Sequence, residues 1–307
     1  MSPPARERLD RVEARLNRAL PGPVKVGLLT LYLFSTATPD LLDAAASHPA
    51  WDRWTDAGVA ALLALQVGGM ALLSVAAWRA LGQPRVTPLN DPANTVAVPG
   101  LNDFMPVAAA PYVVAGLVVA TVVHEVGHAV ACRRAGVEVE EWGVALLLGV
   151  LPVAAYVLPA AAIDRAPVGA RMRLYAVGVF HNLVVAVAAL AVLYSPLAAG
   201  PRETYMAYFG WALVGGAPPT AATLGALGAL TNFCFWLALL NANFALLNAL
   251  PVSMFDGGRV LALALREVAD RAGVSLSPVA QSAVVHGASV LALGLVVLAV
   301  VGPLLPF

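Results

Sequence analysis

Five stretches of this chain are each long enough and apolar enough to cross a lipid bilayer, and they decide most of what it can fold into. They run approximately over residues 57–81, 105–131, 174–197, 222–249 and 286–305, and about 20 apolar residues suffice for a helical span. Composition agrees. Of the 307 residues, 60% are hydrophobic and 12% charged, whereas a soluble domain carries about 25% charged residues. A larger core does not explain that excess. The expected fold is an all-α polytopic membrane protein with five or six transmembrane helices. The 18 basic and 18 acidic residues cancel, so no basic field invites nucleic acid. Cys132 and Cys234 lie in apolar runs without a CxxC pair and read as small packing residues.

Three other segments modify this picture. Residues 1–20 are rich in arginine and glutamate, with Leu9, Val12, Leu16 and Leu20 on one helical stripe, the pattern of an amphipathic surface helix. Residues 26–37 are apolar but short for a span, and Pro39, Asp40 and Asp43 follow; the stretch either dips into the membrane or crosses it. Residues 143–158 form a sixth apolar run, short and containing Gly149 and Pro152.

The arginines orient these pieces. Arg133 and Arg134 precede the 143–158 run, and Arg165, Arg171 and Arg173 follow it. Basic residues gather on the cytoplasmic side, so the run enters and returns, as a re-entrant, β-stranded segment. Irregular backbone at that depth survives where protein or a wet cavity surrounds it. With five spans, fifteen of the 18 basic residues are cytoplasmic, leaving Arg79, Arg85 and Arg202 outside. A sixth span over 24–46 would destroy that bias, so five spans are favoured.

The chemistry lies in His124-Glu125-Val126-Gly127-His128. Residues four apart share a helix face, so His124 and His128 direct two imidazoles at one ion, and Glu125 beside them suits proton transfer to and from water. Chance occurrence in a chain with 5 His is roughly two in a thousand. Three such groups in an apolar span need compensation that packing does not give. Tetrahedral zinc needs a third protein ligand, and Asp256 is the candidate. It lies in the segment from Asn248 through Pro251 to Gly257-Gly258, where the proline breaks the helix and frees a carboxylate to turn toward the metal.

His-Glu-Val-Gly-His on a span followed by NxxPxxxxDG, filled here by Asn248, Pro251, Asp256 and Gly257, resembles the site-2 protease family of intramembrane zinc metalloproteases. Val98-Pro99-Gly100-Leu101-Asn102 and Gly178-Val179-Phe180-His181-Asn182 resemble motifs of its animal and archaeal branch. The likeness covers roughly residues 98–259. It implies Zn2+ on His124, His128 and Asp256, Glu125 as general base and acid, and Asn182 as a substrate or oxyanion contact. His181 and Asn248 are implied as supporting residues.

The domains expected are an amphipathic cytoplasmic segment (1–22), an N-terminal membrane region (23–97), the catalytic core (98–260), and a linker with the last span (261–307). The resemblance also implies a cell-membrane enzyme opening toward the cytoplasm. Its partners would be membrane lipids and a transmembrane protein substrate, a tethered regulator cut within its span. A substrate helix must unwind first, and the 143–158 run could pair with it by β-augmentation. A membrane zinc transporter or metal sensor would use the same three ligands, but gives Glu125 no task. A catalytically silent scaffold gives no reason for the intact motif.

Overall fold

The computed structural model describes residues 15–20, 22–27, 29–82, 86–95, 98–149, 151–198, 203, 205–206, 210 and 226–304. Most of the N-terminal amphipathic segment therefore lies outside the described residues, as do Arg85, Arg202 and the start of the fourth expected span.

In chain order the elements are β1 (Val24–Gly27), β2 (Thr30–Ser35), α1 (Asp40–Ser47), α2 (Ala50–Gly82), α3 (Ala110–Arg134), β3 (Val139–Leu147), β4 (Leu151–Pro159), α4 (Val168–Leu193), α5 (Ala229–Ala249), α6 (Asp256–Arg271) and α7 (Pro278–Val301). Among the described residues, five helices have the length and composition of a membrane span: α2, α3, α4, α5 and α7. Their outward faces carry large apolar side chains, including Val67, Leu72 and Trp78 on α2 and Val290 on α7. Water would penalise so continuous an apolar surface, whereas acyl chains do not. Half of the most apolar stretch of α5 is buried, against 17% for α2 and for α7, so α5 is an inner helix and those two are outer ones.

The chain divides into two compact units. One comprises 1–52 and 125–171, the other 53–124 and 172–307. The three points of division fall within α2, α3 and α4.

In the first unit, four antiparallel strands pair in the order β1-β2-β3-β4. The β3–β4 hairpin turns through Leu148 and Gly149, both with positive φ, the left-handed backbone that short hairpin connections use. Strand pairing thus covers and extends the 143–158 run. Residues 24–35 decide one alternative of the sequence reading: they form a strand hairpin, not a spanning helix. The reason is tertiary. Thr30–Ser35 pair with Trp142–Leu147, more than 100 residues away, and a hydrophobicity profile cannot register such a partner. Glu141, buried in the sheet, accepts from Lys25 Nζ at 2.7 Å and from the Tyr156 hydroxyl at 2.9 Å. At the end of α3, Arg133 pairs with Asp43, and Arg134 pairs with Asp52.

The second unit is a helical bundle. One cluster joins Val113, Ala189, Phe235, Trp236 and Leu240; another joins Leu62, Ala176, Val179, Ala245, Ala249 and Val260. Helix-borne amides, the buried Asn241 and the half-buried Asn248, are satisfied locally. Asn241 and Asn248 each donate to the carbonyl four residues earlier, Leu237 and Phe244, a bond that removes an amide from competition with the apolar surroundings. Ser277 caps α7 by accepting from the Ala280 N–H, with Pro278 in the first turn.

Candidate metal centre

The site begins with helix α3. Its apolar run holds His124 and His128 one turn apart, both buried, with Glu125 half-buried beside them. Asp256 arrives from a different direction. Helix α5 stops at Ala249, Pro251 occupies the intervening loop, and α6 starts at Asp256. A carboxylate in the first turn of a helix faces the unsatisfied N–H groups and the positive end of the macrodipole, so α6 is a favourable mount for it.

Two glycines make the mount possible. A Cβ on Gly257 would collide with the Ala249 carbonyl oxygen, and one on Gly258 with that of Val252. Any side chain at either position would force apart the end of α5 and the start of α6. From α7, Ser289 Oγ accepts from the Ser253 N–H at 2.9 Å, while its hydroxyl lies within reach of the Val285 and Pro251 carbonyls, and so ties the loop to that helix.

The result is that Asp256 Oδ2 stands 3.1 Å from His124 Nε2. One ligand atom from each of His124, His128 and Asp256 lies within 4.8 Å of the others. Whether the set suits a divalent cation follows from the hydrogen bonds behind it. Asn241 Nδ2 is committed to the Leu237 carbonyl, which leaves its Oδ1 to accept from Asn182 Nδ2 at 2.9 Å. Asn182 Nδ2 also donates to the Ala120 carbonyl. Its Oδ1 therefore faces His124 Nδ1, at 2.7 Å, and the imidazole carries its proton there. In the neutral ring, Nε2 then presents a lone pair toward a carboxylate oxygen. Two such acceptors repel unless a proton or a metal cation lies between them. Zinc bonds of about 2.0–2.1 Å in a tetrahedral site bring neighbouring donors to about 3.3 Å, close to the spacing observed. Two imidazoles and one carboxylate form a donor set that fits zinc.

The chain matches the Peptidase family M50 model over residues 112–295. The chain belongs to peptidase family M50. No curated protein and no solved structure matches it. M50 peptidases, the site-2 protease family, are zinc metalloproteases, so this is a multi-pass membrane protein of a metallopeptidase family.

Within this M50 core, the other sequence-derived residues take distinct places. Asn182 is fully buried and both of its amide hydrogens are engaged, by Ala120 and Asn241. In this arrangement it orients His124 and has no hydrogen left for a developing oxyanion. His181 Nδ1 bonds the Val123 carbonyl at 3.0 Å, and Trp54 Nε1 donates to His181 Nε2 at 2.9 Å. It therefore links α4 and α2 to the residue before His124. Asn248 donates within its own helix. The Val98–Asn102 stretch makes a turn ahead of α3, with Asn102 accepting from the Phe104 N–H and donating to the Asn94 carbonyl.

Gly178 has a specific role in this M50 chain. A Cβ there would lie 2.8 Å from His124 Cε1, so α4 can press against the imidazole because position 178 has no side chain. The Gly-x-x-x-Asn spacing thus provides both a flat seat for the ring and, one turn later, the acceptor for its Nδ1–H. Asn241, Gln66 and Trp54 were not singled out by sequence reasoning. The available signal was a polar side chain inside a span, which is costly without a partner or a task.

Proposed function

We propose that the protein is an intramembrane zinc endopeptidase that cuts membrane-tethered regulatory proteins within or near a transmembrane segment, with its site open to the cytoplasm. One observation carries this reading: His124, His128 and Asp256 converge, and Glu125 lies between the two histidines on the same helix. Bound zinc would supply a Lewis acid for the scissile carbonyl and acidify a water molecule. His124, His128 and Asp256 would hold it. The Glu125 carboxylate accepts the water proton and delivers it to the leaving amide nitrogen. Asn182 keeps the His124 lone pair directed inward throughout. The substrate backbone must leave its helix before attack, because a helical peptide bond is protected by its own hydrogen-bond ladder. The antiparallel sheet offers strand edges of the kind that could receive it.

The cytoplasmic opening is supported by the arginines that gather at one set of helix ends, among them Arg133, Arg134, Arg171 and Arg173. The test is to purify the wild type and Glu125→Gln, measure bound zinc, and add a reporter with a single transmembrane helix. Zinc in both and cleavage by the wild type alone are expected. Metal flux retained by the Gln form, with cleavage by neither protein, would overturn the peptidase reading in favour of a transporter.

A further inference from the structure

Gln66 is a neutral amide in the middle of α2, an otherwise apolar span that precedes the matched family region. It is buried, 8% exposed, on a face with Leu62 and Gly69. Its Nε2 donates to two backbone carbonyls, Ala249 and Gly257, each at 2.9 Å. Both partners are pure acceptors, so the amide nitrogen, not its oxygen, must face them. Ala249 is the last residue of α5, where helix carbonyls lose their intrahelical partners. Gly257 directly follows Asp256. One side chain thus spans the two banks of the loop that delivers the carboxylate.

The surrounding packing is tight around that bridge. A Cβ on Gly69, one turn further along α2, would touch Leu246 at 3.1 Å, so α2 lies close against the end of α5. The Ala249 oxygen is itself pressed onto Gly257. Releasing the amide would leave two buried carbonyl dipoles facing the same crowded space. The amide is thus a tie between the end of α5 and the start of α6, where Asp256 sits.

We propose that Gln66 is a positioning residue for Asp256, holding the α5–α6 junction so that the carboxylate meets His124, and that α2 is therefore part of the metal-binding architecture. The proposal rests on the zinc reading above. Its test uses the full-length protein stripped of metal. Zn2+ and Co2+ affinities are measured against a competing chelator, and the visible spectrum of bound Co2+ reports the coordination geometry. Gln66→Met keeps the length of the side chain and removes both donors. It is expected to weaken metal binding by about 10–100-fold, the range for lost outer-shell partners, and to alter the Co2+ bands. Gln66→Glu keeps one donor when protonated and is expected to fall between Met and wild type; it also serves if the Met variant does not fold.

Asn90→Leu is the control. Asn90 Nδ2 makes the same kind of bond to the Ala299 and Val300 carbonyls, far along the sequence from the ligands. Its loss should lower thermal stability and leave the Co2+ spectrum and affinity unchanged. A folded Gln66→Met or Gln66→Glu protein with wild-type affinity and a superimposable spectrum would overturn the positioning role. A wild-type chain that binds neither metal would instead overturn the zinc reading, a separate and recognisable failure.

Discussion

The two units solve the same problem in opposite ways. In the helical unit, buried polar side chains are neutral amides and hydroxyls: Gln66, Asn182, Asn241 and Ser289 are all bonded to backbone carbonyls or to one another. In the sheet-bearing unit, charged pairs are prominent among the polar contacts: Lys25 with Glu141, Arg133 with Asp43, and Arg134 with Asp52, whereas the ion pairs of the helical unit, such as Arg173 with Asp56, lie at exposed positions. Desolvating an amide that keeps its hydrogen bonds costs little, whereas desolvating an ion costs several kcal/mol even when paired. Exposure follows that rule. Asp43 is half exposed, while Asn182 and Asn241 are completely buried. Neutral amides therefore do precise positioning inside the bundle, and the arginine pairs lie where water reaches them, while the buried Glu141 keeps both Lys25 and the Tyr156 hydroxyl as partners.

The largest effect is expected at Glu125, the half-buried charged group beside His124 on α3. Glu125→Gln should lower the cleavage rate by about 10²–10⁴-fold, the usual share of general acid–base catalysis, with bound zinc unchanged in elemental analysis. Next comes Asn182→Leu. It removes the acceptor of the His124 Nδ1–H and should cost about 10–100-fold in metal affinity, measured by chelator competition. Gly178→Ala drives a methyl into the His124 ring and should destabilise the bundle by about 1–3 kcal/mol, visible in thermal unfolding.

In the sheet, Glu141→Gln should cost only about 1 kcal/mol, because Lys25 is partly exposed and water compensates its loss. Metal affinity should not change. A large loss of zinc in this variant would erase the distinction between the units.

The smallest effect is at Asp43. The guanidinium of Arg133 holds its carboxyl below the ordinary 3.8. Its folded pKa is thus depressed, so the stabilisation is present above the unfolded value and is lost as pH falls through the folded one. Asp43→Asn should lower the melting temperature slightly near neutral pH, with the difference from wild type vanishing in strong acid.

Much of this was legible in the chain. The five spans follow from unbroken apolar length, and the helix break follows from Pro251, because each is a local property of consecutive residues. The His124–His128 pair follows equally from the helical repeat. The hairpin at 24–35 did not, since its pairing strand is supplied from beyond residue 140. Nor did the work of Asn182: an amide in a span announces a polar need, but only the packed bundle shows that the need is His124 Nδ1.

By itself, then, the sequence determined which residues could bind a metal and that lipid would surround them. The tertiary structure alone decided that an α6 carboxylate reaches an α3 imidazole, and that Gln66 from a third helix clasps the loop between. Ligand type is chemistry carried by a single residue. Ligand position depends on long-range packing, where a glycine without a Cβ or an amide of the right length sets distances that local patterns do not encode.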